Sequence, residues 1–334
     1  MFFVISGFLI GSNLIRTLAN NDQTPSFRSF VVPFYIRRVW RIWPSAWLWL
    51  LVPILLSLYF NRSGVLLTPL GNVNDAASGV MQIANFHFWR CAAIRDSACG
   101  VSGVYWSLSI EEQFYIFFPL LLFFANRRVV VLVLVLTIVV QMFIPRPVVS
   151  FPWYVRTDAL AVGVLLAIWN NHRPIQPTKS AFLGRNAYFI LIALSIGVTA
   201  IPHVTGNRFF AVSAIALTSG MVVLVALYLE NGHTGKCVSR VFRYLGSRSY
   251  SIYLIHVLAY FVTREVWLRI TGGSVPLDSH FTLRFAITAA LLTFGLAEIS
   301  YRSIETPLRL YGVRAAKRWS QPQPRPPQRP ARQI

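Results

Sequence analysis

The sequence predicts an all-α fold, a polytopic transmembrane helical bundle of nine spans. Three observations predict it. Of the 334 residues, 55% are hydrophobic and only 13% are charged, about half the charged share of soluble domains. The apolar residues gather in runs near the ~20 residues that cross about 30 Å of hydrocarbon. Short, basic, Gly- and Pro-containing loops separate those runs.

In chain order the spans fall at about 1–18, 42–60, 105–125, 129–144, 156–170, 185–202, 208–230, 249–270 and 281–302. The one at 156–170 is short and extends upstream to Trp153 if needed. Segment 64–88 carries Gly71, Asn72, Asn74, Asp75, Gln82 and Asn85. It is too polar to face lipid, and re-entrant, interfacial and loop-helix readings all stand. Charge decides whether it crosses. If it does not, the cytoplasmic side holds Lys and Arg in five groups: five residues up to Arg41, two at Arg127–Arg128, three from Arg173 to Arg185, four from Lys236 to Arg248 and eight from Arg302 onward. If it does cross, most of the basic residues fall outside, against the positive-inside bias. The expectation is a multi-pass protein of the cell inner (plasma) membrane with a cytoplasmic C-terminus. Residues 1–312 form the transmembrane domain. Residues 313–334, rich in Pro, Gln and Arg, form a disordered basic tail.

The net charge of +20 invites a nucleic-acid reading, but the arginines are spread over loops and no soluble basic domain carries them. Three cysteines are too few for a disulfide scaffold. Cys91 and Cys99 share one outer loop, where a disulfide and two free thiols are both open readings. Cys237 faces the reducing side. No metal site is expected. The chain starts in an apolar run with no basic n-region, so no cleavable signal peptide is expected.

Ionisable groups inside spans are costly and usually face a bundle interior or a cavity. RRVWRIWP, residues 37–44, puts Arg37, Arg38 and Arg41 on one helical face at the mouth of the second span, with Pro44 in its first turn. A cluster snorkelling to headgroups is the bland reading. A phosphate site is the sharp one, because guanidinium forks bind phosphate bidentately. WSLSIEEQFY, residues 106–115, brings Glu111 and Glu112 into the membrane beside Ser107, Ser109 and Gln113. Trp106 and Tyr115 read as interface anchors. RTDALAVG, residues 156–163, adds Arg156 and Asp158, which either satisfy each other or share a pocket with the glutamates. In YLGSRSYSIYLIH, residues 244–256, His256 lies within a span. It either bonds a neighbouring helix or moves protons near neutral pH. Glu298 is intramembrane, and Glu305 is placed to pair with Arg37, Arg38 or Arg41.

Taken in order, FFVISGFLI at 2–10, RRVWRIWP, WSLSIEEQFYIFFPLLL, RTDALAVG, the SYSIYLIH run and YRSIETPLR resemble the acyltransferase-3 family of membrane acyltransferases. The resemblance covers residues 2 to about 310. It implies ten helices with both ends cytoplasmic, and transfer of an acyl group, commonly acetyl from acetyl-CoA, to a hydroxyl of a carbohydrate. Acetyl-CoA or another acyl-CoA is the implied donor substrate, and no bound cofactor is expected. The implied partners are this donor, a carbohydrate or lipid-linked glycan acceptor, and the bilayer, with no nucleic acid. Arg37, Arg38 and Arg41 would hold the donor's phosphates. Glu111 and Glu112 would line the reaction chamber, with Asp158 and His256 as further catalytic candidates. The arginines and carboxylates are expected toward opposite membrane faces. The family's first helix, with its catalytic histidine and Gly-rich link, is not in this sequence, which starts at the second. A truncated, inactive homologue is therefore one alternative. A transporter or flippase for a lipid-linked or small anionic substrate is another.

Overall fold

Local sequence signals set where the helices begin. Ser26 accepts the Ser29 N–H on its Oγ at 3.2 Å, Thr68 does the same for Gly71 at 3.0 Å, and Asn126 for Val129 at 3.0 Å. These are N-caps satisfying otherwise orphaned donors. The computed structural model describes residues 1–19, 26–94, 98–173, 189–197, 200–201, 210–230, 236–273 and 282–320. Among them every regular element is helical.

The order is α1 (Phe2–Ala19), α2 (Phe27–Tyr59), α3 (Pro69–Val80), α4 (Ala84–Ile94), α5 (Tyr105–Phe124), α6 (Arg127–Phe143), α7 (Phe151–Tyr154), α8 (Asp158–His172), α9 (Ala211–Glu230), α10 (Lys236–Thr271), α11 (Thr282–Ser300), a π-turn (Tyr301–Glu305) and α12 (Thr306–Ser320). Six segments are long and apolar enough to cross a membrane: Phe2–Ala19, Phe27–Tyr59, Tyr105–Phe124, Phe151–His172, Ala211–Leu229 and Leu283–Trp319. The expected span at 129–144 is the 17-residue α6. The one at 249–270 lies in the 36-residue α10, and the one at 185–202 lies partly outside the described residues. Helices α3 and α4 hold 12 and 11 residues, too short to span.

Two boundaries differ from expectation. Helix α2 starts at Phe27, so Pro44 is an interior residue, as are Pro33 and Pro53. Neighbouring helices hold the backbone beside Pro44: the Ala46 carbonyl accepts from Tyr105 Oη at 2.7 Å and the Ile42 carbonyl from Tyr250 Oη at 2.8 Å. At the other end, helix continues past residue 312 to Ser320. Its apolar side is held on α2, where Gly312 lies against Trp40 and Tyr311 meets the same indole edge-on at 4.5 Å. Residues 321–334 lie outside the described residues.

Two packing relations position the site. Helix α1 crosses α8 with backbone nearly touching backbone. A Cβ on Gly7 would run into the Leu160 carbonyl, and one on Gly163 into the Val4 carbonyl. Small residues allow such approach in membranes, where packing replaces the hydrophobic drive. Helices α2 and α5 run antiparallel in fixed register. Tyr105 meets Ala46, Tyr35 Oη donates to the Ile116 carbonyl at 2.8 Å, and Phe27 and Phe30 both pack on Phe123.

The polar residues of 64–88 close a cap at one end of α5. Asp75 accepts from Gly100 N and Ser102 N at 2.9 Å and pairs with His87 Nε2 at 2.8 Å. Asn72 accepts from Val101 N, and the Asn85 and Gln113 side chains bond each other. A Cys91–Cys99 disulfide closes the loop between α4 and α5.

Candidate active site

Helix α5 is apolar enough to cross yet buries Ser107, Ser109, Glu111 and Glu112. Residues four apart share a face, so Ser107, Glu111 and Tyr115 look toward α1 and α10. Glu111, 3% exposed, accepts on Oε2 from Ser6 Oγ at 3.0 Å and Tyr115 Oη at 2.8 Å. The two hydroxyls also bond each other. Further out, the Ser107 hydroxyl meets that of Tyr253, whose ring stacks on Phe2 at 4.6 Å. Glu112 turns the other way, and its Oε2 accepts from Trp43 Nε1 at 3.3 Å. On both glutamates Oε1 is buried without a partner among the described residues.

Helix α2 brings the arginines to this level. The Arg38 guanidinium lies 4.4 Å from the centroid of the Tyr115 ring, over the residue that holds Glu111. The expected separation of arginines and carboxylates to opposite faces is therefore corrected. Helix α2 starts at Phe27 rather than near residue 42, while α5 starts at Tyr105 as expected, and the antiparallel register sets Arg38 beside residues 111–115. Arg37, Arg38 and Arg41 are half-buried. Among the described residues none of them forms an ion pair, because Glu305, the expected partner, is buried and accepts instead from Ser251 Oγ at 2.8 Å. Arg41 remains within electrostatic reach of Glu305 and Arg309. Arg38 thus brings positive charge beside two under-satisfied carboxylates, with Arg37 and Arg41 adjoining it on the same helix.

Asp158 is occupied elsewhere. Its Oδ2 accepts from Arg146 Nη1 at 2.8 Å and Ser213 Oγ at 3.0 Å, and Oδ1 from Ala159 N at 2.9 Å. No bond joins it to Glu111 or Glu112 among the described residues, and its ion partner is Arg146 rather than Arg156. His256 is exposed, with Nδ1 2.8 Å from the Tyr253 carbonyl one turn back. The structure therefore brings together Glu111, Glu112 and Arg38, with Arg37 and Arg41 on the same helix, and sets Asp158 and His256 apart. Glu298 pairs with Arg248 at 2.9 Å and also with Arg302.

Sequence reasoning missed Ser6, Trp43 and the role of Tyr115. Ser6 carried a signal, being the one polar side chain between Met1 and Gly11. Tyr115 is no interface anchor: it is 2% exposed and spends its hydroxyl on the glutamate.

A protein-family model described as an acyltransferase domain, that of acyltransferase-3, matches residues 1–299. The chain belongs to this family. It is 29% identical over 347 residues to the putative peptidoglycan O-acetyltransferase YrhL of Bacillus subtilis (strain 168), covering 95% of this chain and 51% of that protein. Against the peptidoglycan O-acetyltransferase OatA of Listeria monocytogenes the identity is 29% over 337 residues, covering 93% and 51%. A putative O-acetyltransferase of Staphylococcus aureus (strain COL) is 27% identical over 341 residues, covering 94% and 52%. The chain thus spans about half the length of the curated relatives it matches. No solved structure matches it.

Proposed function

We propose that this chain is a membrane O-acyltransferase that moves an acetyl or similar acyl group from acyl-CoA to a hydroxyl of a cell-envelope glycan. The observation that carries this is the buried Glu111–Glu112 pair, each with one oxygen unpartnered among the described residues, beside an Arg38 that forms no ion pair among them. The relatives' printed names, peptidoglycan O-acetyltransferases, support the acceptor class.

Arg37, Arg38 and Arg41 take the donor's phosphates by charge-assisted hydrogen bonds. Glu111 Oε1 receives the acceptor hydroxyl's proton. The hydroxyl oxygen bonds to the thioester carbonyl carbon, the resulting oxyanion collapses, and the C–S bond breaks. The thiolate leaves and takes up the proton, so atoms and charge balance. Ser6 and Tyr115 fix the glutamate's orientation through its other oxygen. In this reading the chain crosses the inner membrane nine times and ends in the cytoplasm. Helix α6, the expected span at 185–202 and the apolar part of α10 supply the three crossings beyond the six long apolar segments.

The test is glycan mass spectrometry on a deletion strain complemented with wild type or with Glu111→Gln. Loss of one acyl mass in the deletion, restored by wild type alone, is the expected result. An unchanged acyl profile in the deletion strain sinks the reading.

A further inference from the structure

On the outer side of α8, Arg156 lies on aromatic rings. Its guanidinium carbon is 3.6 Å from the centroid of the Trp153 ring and 4.8 Å from that of Trp106. Among the described residues it makes no hydrogen bond and no ion pair. Asp158 is the nearby carboxylate, two guanidiniums compete for it, and Arg146 wins with an ion pair at 2.8 Å. The cluster keeps a surplus positive charge. Desolvated cations without an anion are expensive, and stacking on ring faces offsets only part of that cost.

Trp106, Trp153 and Tyr154 around it are half-buried, so each keeps part of its ring surface accessible. Trp106 and Trp153 lie 6.3 Å apart at 34°, and Tyr154 meets Trp106 edge-on at 5.4 Å. Trp106 precedes Glu111 by five residues of one helix, a rise of about 7.5 Å. The platform therefore stands immediately outward of the carboxylate pair. The face of a pyranose presents C–H bonds of positive polarity, which match the negative face of an indole. A guanidinium fork beside that face pairs with a carboxylate or a phosphate.

We propose that Arg156, Trp106 and Trp153 form the acceptor subsite, binding a sugar that carries an anionic group and aiming a hydroxyl at Glu111. This deepens the O-acyltransferase reading and rests on it. The test uses the full chain purified in detergent, with no acyl donor present. Tryptophan fluorescence is titrated with N-acetylmuramic acid (carboxylate), N-acetylglucosamine 1-phosphate (phosphate) and N-acetylglucosamine (neutral).

At least one anionic sugar should bind about tenfold more tightly than the neutral one, the scale of one charge-assisted hydrogen bond. Which of the two it is identifies the anion. Arg156→Gln should erase that preference, Arg156→Lys should keep most of it, and Trp153→Ala should weaken all three sugars. Equal binding of all three by wild type overturns the subsite, as does a preference that survives Arg156→Gln. So does competition by phosphatidylglycerol with no sugar preference, which would assign Arg156 to lipid headgroups. Because binding is read without transfer, the two ideas fail separately. A wild-type strain with no glycan acyl mass removes the function and leaves the binding result standing. Intact transfer with Arg156-independent binding removes only the subsite.

Discussion

Glu111 and Asp158 are carboxylates buried to the same degree, 3% and 1% exposed, and their oxygens are used differently. Asp158 has each oxygen filled, by the Ala159 amide on one side and by Arg146 and Ser213 on the other. Glu111 gathers both of its hydroxyl donors on Oε2 and leaves Oε1 buried and bare. A low-dielectric interior penalises an unpaired polar atom by more than a made hydrogen bond returns. Full satisfaction marks a carboxylate that holds helices together, and a spare oxygen marks one kept for something that arrives. Burial alone does not separate the two; counting partners does.

The largest expected effect tests the spare oxygen. Glu111→Gln keeps shape and burial and should lower acyl transfer by about 10²–10⁴-fold, the usual range for proton transfer by a positioned group. Thermal unfolding in detergent should barely change, and wild-type transfer by this variant would break the comparison. Arg146→Ala tests the other half. It takes away the ion partner of Asp158, so stability should fall by about 3–5 kcal/mol, and Arg156, no longer outcompeted for that carboxylate, should turn toward it and raise the acceptor KM; an unchanged unfolding curve would show that the pair locks nothing. Gly163→Ala forces a methyl into the Val4 carbonyl and should cost about 1–3 kcal/mol. Its transfer rate should drop too, because α1 carries Ser6. Trp43→Phe removes the one donor to Glu112 among the described residues and should lower kcat/KM several-fold, with stability falling by about 1–3 kcal/mol because both oxygens are then bare; unchanged kcat/KM would show that Glu112 needs no orientation. Smallest of all, His256→Gln should leave transfer within about twofold, the scatter of surface substitutions; a large loss would return that histidine to the site.

Helices and their carboxylates were legible to different depths. Runs such as 105–125 declared themselves because apolar residues continue for a full membrane thickness, and two glutamates within one are conspicuous at that cost. The beginning of α2 was hidden, because Pro33 and the arginines interrupt its apolar pattern and tertiary contacts, with α5 through Tyr35 and with α12 through Trp40, hold that first half in place. Arg38's depth was hidden for the same reason, since it depends on the register between two helices. Asp158 was visible and its partner was not: Arg146 comes from a Pro-flanked loop 12 residues upstream. His256 sits among apolar neighbours on every side, with Leu254 and Ile255 buried and Tyr260 exposed, so periodicity could not say which way it faced.

The glycine contact between α1 and α8 also bears on how the protein is made. Gly7 and Leu160 lie about 150 residues apart, and synthesis at roughly 5–20 residues per second separates their emergence by some 8–30 s. Through that interval the glycine notch of α1 has no α8 to fill it, while Ser6 waits for Glu111 of α5, 105 residues downstream. Trp49 of α2 waits longer, since its indole donates to Ser300, 251 residues downstream. The pocket around Glu111 is thus completed late in biogenesis, and until then an early helix with a polar spot is exposed to membrane quality control.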